Sequence, residues 1–337
     1  MELAEILKTL CAETGISGEE NSASQKAAEL LKPYAQQVYL DDFNNVIAVI
    51  RQAQKDEPTV LLDAHIDEIG MIVTAIDESG FLHVSNCGGV DRRLLLGQEV
   101  TVYTSQGNLP GVSAPVEEED KVPEMKEILI DLGMTKEEAE GCVRLGDRVG
   151  IRGYWNPLLG NQVSSKALDD RCGVAAILSA LELLKEKELH CGVAVLFSAQ
   201  EEVGEAGAKI AAFRLEPDIA IGLDVSFAKT PDAPAYTCGI MGKGPMIGIA
   251  PTLTRSISQR LIDLAEQHNI PYQVEVMGGR TGTNLDGIGI QKGGIRTGLI
   301  SIPQKYMHTP IEVIDLQDLE WVAQLLAQYV QSVGGES

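Results

Sequence analysis

Two adjacent carboxylates, Glu201 and Glu202, follow an apolar run and could act together on one substrate. The run, Val193–Ser198, is rich in branched side chains and has the length of a strand buried on both faces. Where the chain turns at the end of such a strand, two neighbouring side chains can reach one site from two directions. One carboxylate could hold a metal ion while the other takes a proton from water. The alternative is a solvated junction between a strand and a loop.

Similar polar clusters occur at four other places in the chain. Three come directly after apolar runs, and the fourth stands in a loop-like context late in the chain. Because ligand sites of open α/β sheets lie outside the carboxyl ends of the strands, we expect these clusters to converge. They are Leu61–Gly70 with His65 and Asp67, Lys166–Arg171 with Asp169, Ile221–Asp224, and Tyr306–Pro310 with His308.

The residue types in these clusters favour a pair of divalent metal ions. Four acidic residues would meet in one cleft: Asp169, Glu201, Glu202 and Asp224. Like charges held close together raise one another's pKa, whereas two dications would balance them. In the stretch His65-Ile-Asp67 the carboxylate can fix the tautomer of the imidazole, as the partners of metal-binding histidines usually do. Dispersed, solvated acids would leave their repeated position at strand ends unexplained.

The composition indicates a globular intracellular protein. With 337 residues, 44% of them hydrophobic, the chain can form one large or two medium domains. Its formal net charge of −22 argues against binding to nucleic acid or to anionic membranes. The six cysteines are scattered, which is typical of reduced thiols. Acidic residues stand near Met1 where a signal peptide needs basic ones, so we expect a cytoplasmic location.

Helices and strands alternate in the first and last parts of the sequence. Apolar residues at helical spacing predict helices near the N-terminus and over Asp170–Lys187, Ser256–Gln267 and the last residues from about Asp315. Apolar runs predict strands at Val46–Ile50, Thr59–Leu62, Val193–Ser198 and Ile219–Leu223. This alternation is typical of an α/β protein with a mixed sheet covered by helices on both faces.

The middle of the chain has a different texture. Short β-like runs are separated by Gly-containing turns, at Met71–Ile76, Phe81–Val84, Glu99–Tyr103, Leu109–Val112 and Arg148–Ile151. The acidic run Glu117–Asp120 between them is expected to be a solvated loop. We therefore predict a catalytic domain over residues 1–70 and 164–337, with a small β-rich domain inserted over residues 71–163.

Together the motifs resemble those of the M42 family of metallo-aminopeptidases, the tetrahedral aminopeptidase group. The resemblance extends from Gly15 to the last helix, and Ile130–Gly133 is similar to a stretch of the family's inserted domain. It rests on His65-Ile-Asp67-Glu68, Lys166-Ala-Leu-Asp169-Asp170-Arg171, Glu201-Glu202-Val-Gly204, Leu223-Asp224 and His308-Thr-Pro310. It implies a zinc-peptidase-like catalytic domain and two divalent metal ions in each subunit. His65 and Asp224 would hold one ion. Glu202 and His308 would hold the other, with Asp169 bridging the two.

The resemblance also implies the chemistry. Glu201 would be the general base that accepts a proton from water, and Asp67 would support His65. Because the ligand set contains no thiolate, zinc, cobalt or manganese would suit it. The substrates would be short peptides with a free N-terminus, and the inserted domain would join dimers into a dodecamer.

Two stretches depart from the family pattern. Asn44-Asn45 stands where Gly-Asn is usual, and Asn284 follows Thr283 where members have a Gly-Thr-Asp stretch near the substrate. Arg280 and Lys243 are candidates to recognise an acidic N-terminal side chain. The preferred N-terminal residue stays open at this point.

Other functions are compatible with parts of the pattern. A deacylase or a dipeptidase could use the same metal core, and a glycan hydrolase would also use paired carboxylates. Aromatic residues make up only 4% of the chain, which leaves few side chains for stacking on sugars. A non-catalytic assembly or metal-storage protein would not need Glu201 in addition to the metal ligands.

Overall fold

The computed structural model describes residues 2–115, 122–231, 233–234 and 237–335, so the run Glu117–Asp120 lies outside the described residues. Its strands are β1 (Gln37–Leu40), β2 (Val46–Arg51), β3 (Thr59–His65), β4 (Gly70–Ile76), β5 (Leu82–Cys87), β6 (Glu99–Thr104), β7 (Gly107–Pro115), β8 (Ile128–Asp131), β9 (Arg148–Ile151), β10 (Asn156–Pro157), β11 (Gln162–Ser165), β12 (Gly192–Ser198), β13 (Ile219–Phe227), β14 (Met246–Ile249), β15 (Gln273–Val276), β16 (Arg296–Gln304) and β17 (Glu312–Asp315). Its α-helices are α1 (Leu3–Ala12), α2 (Asn21–Leu31), α3 (Lys136–Cys142), α4 (Leu168–Leu184), α5 (Ala206–Leu215), α6 (Arg255–Gln267), α7 (Asn284–Ile288) and α8 (Leu316–Ser332).

An eight-stranded mixed sheet forms the centre of the molecule, in the order β1-β2-β12-β3-β13-β16-β14-β15. The four middle strands, from β12 to β16, are parallel to one another. Antiparallel pairing begins on one side at β2 and on the other at β14. The parallel strands read as continuous apolar runs because both of their faces are buried.

Helices cover the sheet on both faces, as predicted. Side chains alternate along a strand, so Val60 and Leu62 of β3 face one core and Leu61 faces another. The first core includes side chains from α1, α2, α4, α6 and α8. The second is smaller and is closed mainly by α5 and α7. The predicted fold class, a mixed α/β sheet between helical layers, is confirmed.

Strands β4 to β9 form a closed barrel in the order β4-β5-β8-β7-β6-β9. Its interior is filled by a separate apolar cluster that includes Met71, Val100 and Val149. Closure leaves no unpaired sheet edge, which stabilises short strands. After the barrel, β10 and β11 form a three-stranded sheet with β17. The boundary predicted between residues 163 and 164, where the inserted domain was expected to end, falls inside β11. None of the helices in the described ranges is long and apolar enough to cross a membrane.

Candidate active site

The polar clusters meet at the carboxyl edge of the parallel strands. His65 ends β3 and is in register with Ser198, which ends β12 three residues before Glu201. Asp224 lies on the neighbouring strand β13, and β13 pairs directly with β3. This is the edge at which open α/β sheets bind their ligands.

Asp169 stands at the centre of the site. It lies at the start of α4, where Asp169 and Asp170 have non-helical backbone angles. One carboxylate oxygen, Oδ1, is 2.9 Å from His65 Nε2, and the other, Oδ2, is 3.3 Å from His308 Nε2. The same atom of His308 is 3.4 Å from Glu202 Oε2. Asp169 therefore has one oxygen facing each imidazole.

Two groups of potential metal ligands share Asp169. His65, Asp169 and Asp224 form the first, and Asp169, Glu202 and His308 form the second. Within each group one donor atom of every residue lies within 4.8 Å of the others. The fold thus brings together all five residues that the sequence predicts as metal ligands.

The ionisable groups of the site carry strongly shifted pKa values. Burial, with the charge of Asp169, raises the pKa of Glu202 well above its usual range, and burial does the same for Asp224. Burial opposes ionisation of Asp169 too, but hydrogen bonds from His308 and His65 hold its pKa below the usual range. Burial alone would lower the pKa of His65, yet its hydrogen bond with Asp169 raises it. Without metal ions, the negative charge of the site is therefore reduced by protons on Glu202 and Asp224 and balanced by the imidazolium groups of His65 and His308.

Asp67 connects His65 to the loop that carries the two glutamates. Its Oδ1 accepts a hydrogen bond of 3.0 Å from the Glu201 amide, and its Oδ2 accepts one of 3.2 Å from the Glu202 amide. Ser17 Oγ donates to Oδ2 at 2.6 Å. His65 Nδ1 is closer to the main-chain oxygen of Asp67, at 3.1 Å, than to its carboxylate, at 3.5 Å. Asp67 thus orients the ring mainly through its backbone and uses its carboxylate to hold the loop.

Glu201 lines the cleft beside the two ligand groups. Burial raises its pKa to about 7, and the neighbouring Asp67 and Asp169 add to the shift although His65 opposes it. A carboxylate with a pKa near neutrality can both accept and release a proton at physiological pH. Its position and its pKa suit the role of a general base.

The motif residues that are not potential ligands join two segments of the site. Glu68 accepts from Lys166 Nζ at 2.7 Å and from Arg171 Nη2 at 3.1 Å. Arg171 is fully buried, and its Nη1 also donates to the Leu10 and Glu13 carbonyls. Burying a charge requires a partner and filled hydrogen bonds, and this cluster supplies both. It fixes the segment of His65 against that of Asp169.

Glu312 and Gly89 were missed by the sequence analysis. Glu312 is 2% exposed and accepts hydrogen bonds from the Asp169 amide at 3.1 Å and the His308 amide at 3.0 Å. At Gly89, a Cβ atom would stand 2.6 Å from His308 Nδ1, so a side chain does not fit there. The available signal for Glu312 was an acidic residue opening an apolar run four positions after His308.

The departures from the family pattern have structural explanations. Asn44 has φ of 65°, in the left-handed region that asparagine tolerates as glycine does. Asn45 accepts from the Ala199 amide at 2.8 Å and so anchors the loop after β12. Asn284 is 3% exposed and donates to Asp63 at 3.0 Å, beneath the site rather than in the cleft.

The cleft beside the ligands is open and has a volume of about 540 Å³. Acidic groups at one end include Glu201, Glu202 and Asp224. Apolar wall residues include Phe227, Met277 and Met307, of which Phe227 is 63% exposed. A cleft of this size accepts the end of a peptide.

Comparison with known proteins places this geometry in context. The profile of the M42 glutamyl aminopeptidase family matches residues 44–325. The lysyl aminopeptidase of Pyrococcus furiosus is 32% identical over 330 residues, which cover 94% of this chain and 93% of that protein. The structure of aminopeptidase APDkam598 from Desulfurococcus kamchatkensis is similar with a TM-score of 0.93 and 35% identity, covering 98% and 95% of the two chains. The Pyrococcus horikoshii TET1 peptidase, described as assembling into a tetrahedron or a large octahedral shell, has a TM-score of 0.86 and 31% identity, covering 98% and 100%.

Proposed function

Because the chain belongs to the M42 family of aminopeptidases, we propose that it releases N-terminal residues from short peptides at a centre of two divalent metal ions. The observation that carries the two-ion centre is the position of Asp169, which belongs to both groups of potential ligands. A carboxylate that offers one oxygen to each group is the bridge that a two-metal site requires.

The donor set fits such a pair of ions. His65 and Asp224 complete one ligand group and Glu202 and His308 complete the other, with Asp169 in common. Carboxylate oxygens and neutral imidazoles suit zinc, cobalt or manganese. The raised pKa values of Glu202 and Asp224 also favour this assignment, since two dications would balance these charges and let both acids ionise.

The residues around the ligands support peptide hydrolysis. Two bound ions would acidify a water molecule and polarise the scissile carbonyl. Glu201 would accept the proton of that water and pass it to the leaving amine, a role that its position in the cleft beside the two ligand groups supports. The Asp67 carboxylate holds the main chain of Glu201 in place by accepting a hydrogen bond from the Glu201 amide.

The acidic end of the cleft explains a preference for unblocked substrates. A free α-amino group can donate hydrogen bonds to the carboxylate oxygens at this end of the cleft, which Glu201, Glu202 and Asp224 line. An acetylated N-terminus carries no charge and is larger. Cleavage is therefore directed to the first peptide bond.

The test is product analysis with the peptide Leu-Phe-Ala and its N-acetylated form, using protein loaded with zinc, cobalt or manganese. We expect release of leucine from the free peptide and no reaction with the blocked one. Release of acetate from the blocked peptide would indicate a deacylase, and release of alanine from the blocked peptide would indicate a carboxypeptidase. Hydrolysis of the dipeptide Leu-Phe without hydrolysis of Leu-Phe-Ala would indicate a dipeptidase. Each of these outcomes would contradict the proposal.

We further propose that residues 71–163 mediate assembly into dimers that build a dodecamer. Leu145, Tyr154 and Leu159 are 66%, 61% and 97% exposed, which is unusual for large apolar side chains. The relative described as a tetrahedral assembly aligns over 98% of this chain. A cytoplasmic location is proposed because all six cysteines are free thiols.

A further inference from the structure

A carboxylate outside the proposed metal set, Glu275, also lines the cleft. Glu275 belongs to the edge strand β15, and its partner on β14 is Gly248. Because Gly248 has no side chain, nothing on β14 at this position separates the Glu275 side chain from β16. Ser301 Oγ on β16 donates to its Oε2 at 2.8 Å, and Ser226 Oγ on β13 donates to its Oε1. The two hydroxyls hold the carboxylate in place without neutralising it.

The charge of Glu275 is uncompensated, in contrast to that of the cleft's arginine. Among the described residues, no lysine, arginine or histidine forms an ion pair with Glu275. Arg280 is paired twice, with Glu205 at 3.1 Å and with Asp286 at 3.4 Å. Lys243, the other cation considered for substrate recognition, is absent from the residues that line the cleft. Among the described residues that line it, the cleft therefore offers a free anion and no free cation.

Glu275 stands at a suitable distance from the ligands. Its partner Ser226 follows the potential ligand Asp224 by two residues on β13, so both side chains lie on one face, about 7 Å apart along the strand. The cleft wall also includes the apolar side chains of Phe227 and Met277. Such a path fits a long apolar stem that ends in a positive charge, as in lysine and arginine.

We propose that Glu275 is a specificity-determining residue that binds the cationic side chain of an N-terminal lysine or arginine. This inference rests on the proposed aminopeptidase function and adds the substrate class to it. The expectation that Arg280 and Lys243 select acidic side chains is replaced, because the structure engages the first and leaves the second outside the cleft.

The test compares lysyl and norleucyl amides, which differ only in the terminal ammonium group, with arginyl and glutamyl amides alongside. In the wild type we expect kcat/KM to be higher for lysyl and arginyl than for norleucyl amides, and lowest for glutamyl amides. The Glu275→Gln variant keeps the size of the side chain and its capacity to bond both serines. It should lower the ratio of lysyl to norleucyl kcat/KM by roughly 10- to 100-fold, the range expected for a hydrogen bond to a charged group.

Glu29→Gln, on the surface of α2, removes the same charge and should leave that ratio unchanged. Calorimetric titration with free L-lysine and L-norleucine gives a second readout that requires no turnover, and the variant should lose the preference for lysine. The inference would be overturned if the wild type, while cleaving norleucyl amide, showed the same kcat/KM for lysyl and norleucyl amides. It would also be overturned if Glu275→Gln left the ratio of the two kcat/KM values unchanged. Failure to cleave any unblocked amide after metal loading would instead overturn the aminopeptidase proposal.

Discussion

At the scale of single residues, the site separates two kinds of carboxylate. Asp169 stays ionised in the metal-free protein because two imidazoles bond it, and burial raises the pKa of Glu202 and of Glu201. Glu201 lines the cleft beside both groups of potential ligands and belongs to neither. These differences suit the proposed roles of Asp169 as the bridge, Glu202 as a ligand of one ion and Glu201 as the base.

The role of Glu201 predicts the effect of Glu201→Gln. The variant should bind as much metal as the wild type, and its kcat should fall about 10²- to 10⁴-fold, which is the usual contribution of a general base. Metal content is measured by mass spectrometry and kcat with an unblocked aminoacyl amide. Glu216→Gln, an exposed residue after α5, serves as the control. Unchanged turnover in Glu201→Gln would exclude the base role.

Metal ions and protons should compete for the site. The raised pKa values of Glu202 and Asp224 mean that these acids hold protons in the metal-free protein at pH values where exposed acids do not. Binding of zinc must displace those protons, so affinity should fall as the pH is lowered from 8 to 6. Calorimetry in buffers of different ionisation enthalpy measures the protons released. Zinc binding without proton release would show that these acids are already ionised.

At the scale of elements, His308 is positioned by its neighbours rather than by a regular helix or strand. It follows β16 with φ of 61°, and Glu312 at the start of β17 accepts its amide proton. Gly89, which follows β5 of the barrel, leaves room for its ring. The position of this potential metal ligand thus depends on a contact between the barrel and the segment before β17.

The contacts of Glu312 predict weaker metal binding in Glu312→Gln. A glutamine has one acceptor oxygen, so it cannot accept from both the Asp169 and the His308 amides. Loss of a group that orients ligands typically lowers metal affinity 10- to 100-fold. Zinc affinity is measured by competition with a chelator, and Glu320→Gln on the surface of α8 is the control. Equal affinities in the wild type and Glu312→Gln would contradict this role.

Many elements could be predicted from the sequence, including the four-residue strand at Arg148–Ile151, whereas several short strands and the nine-residue strand β16 were not predicted. The strand predicted at Val193–Ser198 is observed as Gly192–Ser198, and the helix predicted from about Asp315 begins at Leu316 with Asp315 as its cap. Strands β8, β14, β15 and β17 have four residues each, and an apolar pattern this short rarely stands out from its surroundings.

Four of the five candidate ligands were predictable because they follow apolar runs, and His308 was predictable from its motif His308-Thr-Pro310, whereas the residues that support them were not predictable. Glu312 acts through main-chain amides, so no residue type marks its partners. Glu275 reaches the cleft only because β15 lies beyond β14 in the sheet, an order that local patterns do not specify. The positions of Glu312 and Glu275 depend on how segments distant in the sequence pack together, which local sequence patterns do not predict.

At the scale of the whole molecule, large apolar side chains remain exposed near the barrel. Leu159, in the turn between β10 and β11, is 97% exposed, and Leu158 beside it is 44% exposed. Exposing two adjacent leucines to water is unfavourable for a monomer, whereas a subunit interface would bury their apolar surface.

Leu159→Lys should therefore disrupt assembly without unfolding the subunit. Because the side chain is exposed, the free energy of unfolding of the subunit should change by less than about 0.5 kcal/mol. Mass is measured by light scattering and the thermal transition by calorimetry. Ser105→Lys, in the turn between β6 and β7, adds the same charge at a polar position. A wild-type oligomer that Leu159→Lys leaves intact would place the interface elsewhere.

Anomalous diffraction from crystals grown with zinc tests the central claim most directly. The account predicts two peaks, roughly 3.5–4 Å apart, on either side of the Asp169 carboxylate. One peak should lie beside His65 and Asp224, and the other beside Glu202 and His308. Zinc bound away from these side chains, or no zinc at saturating concentration, would contradict it.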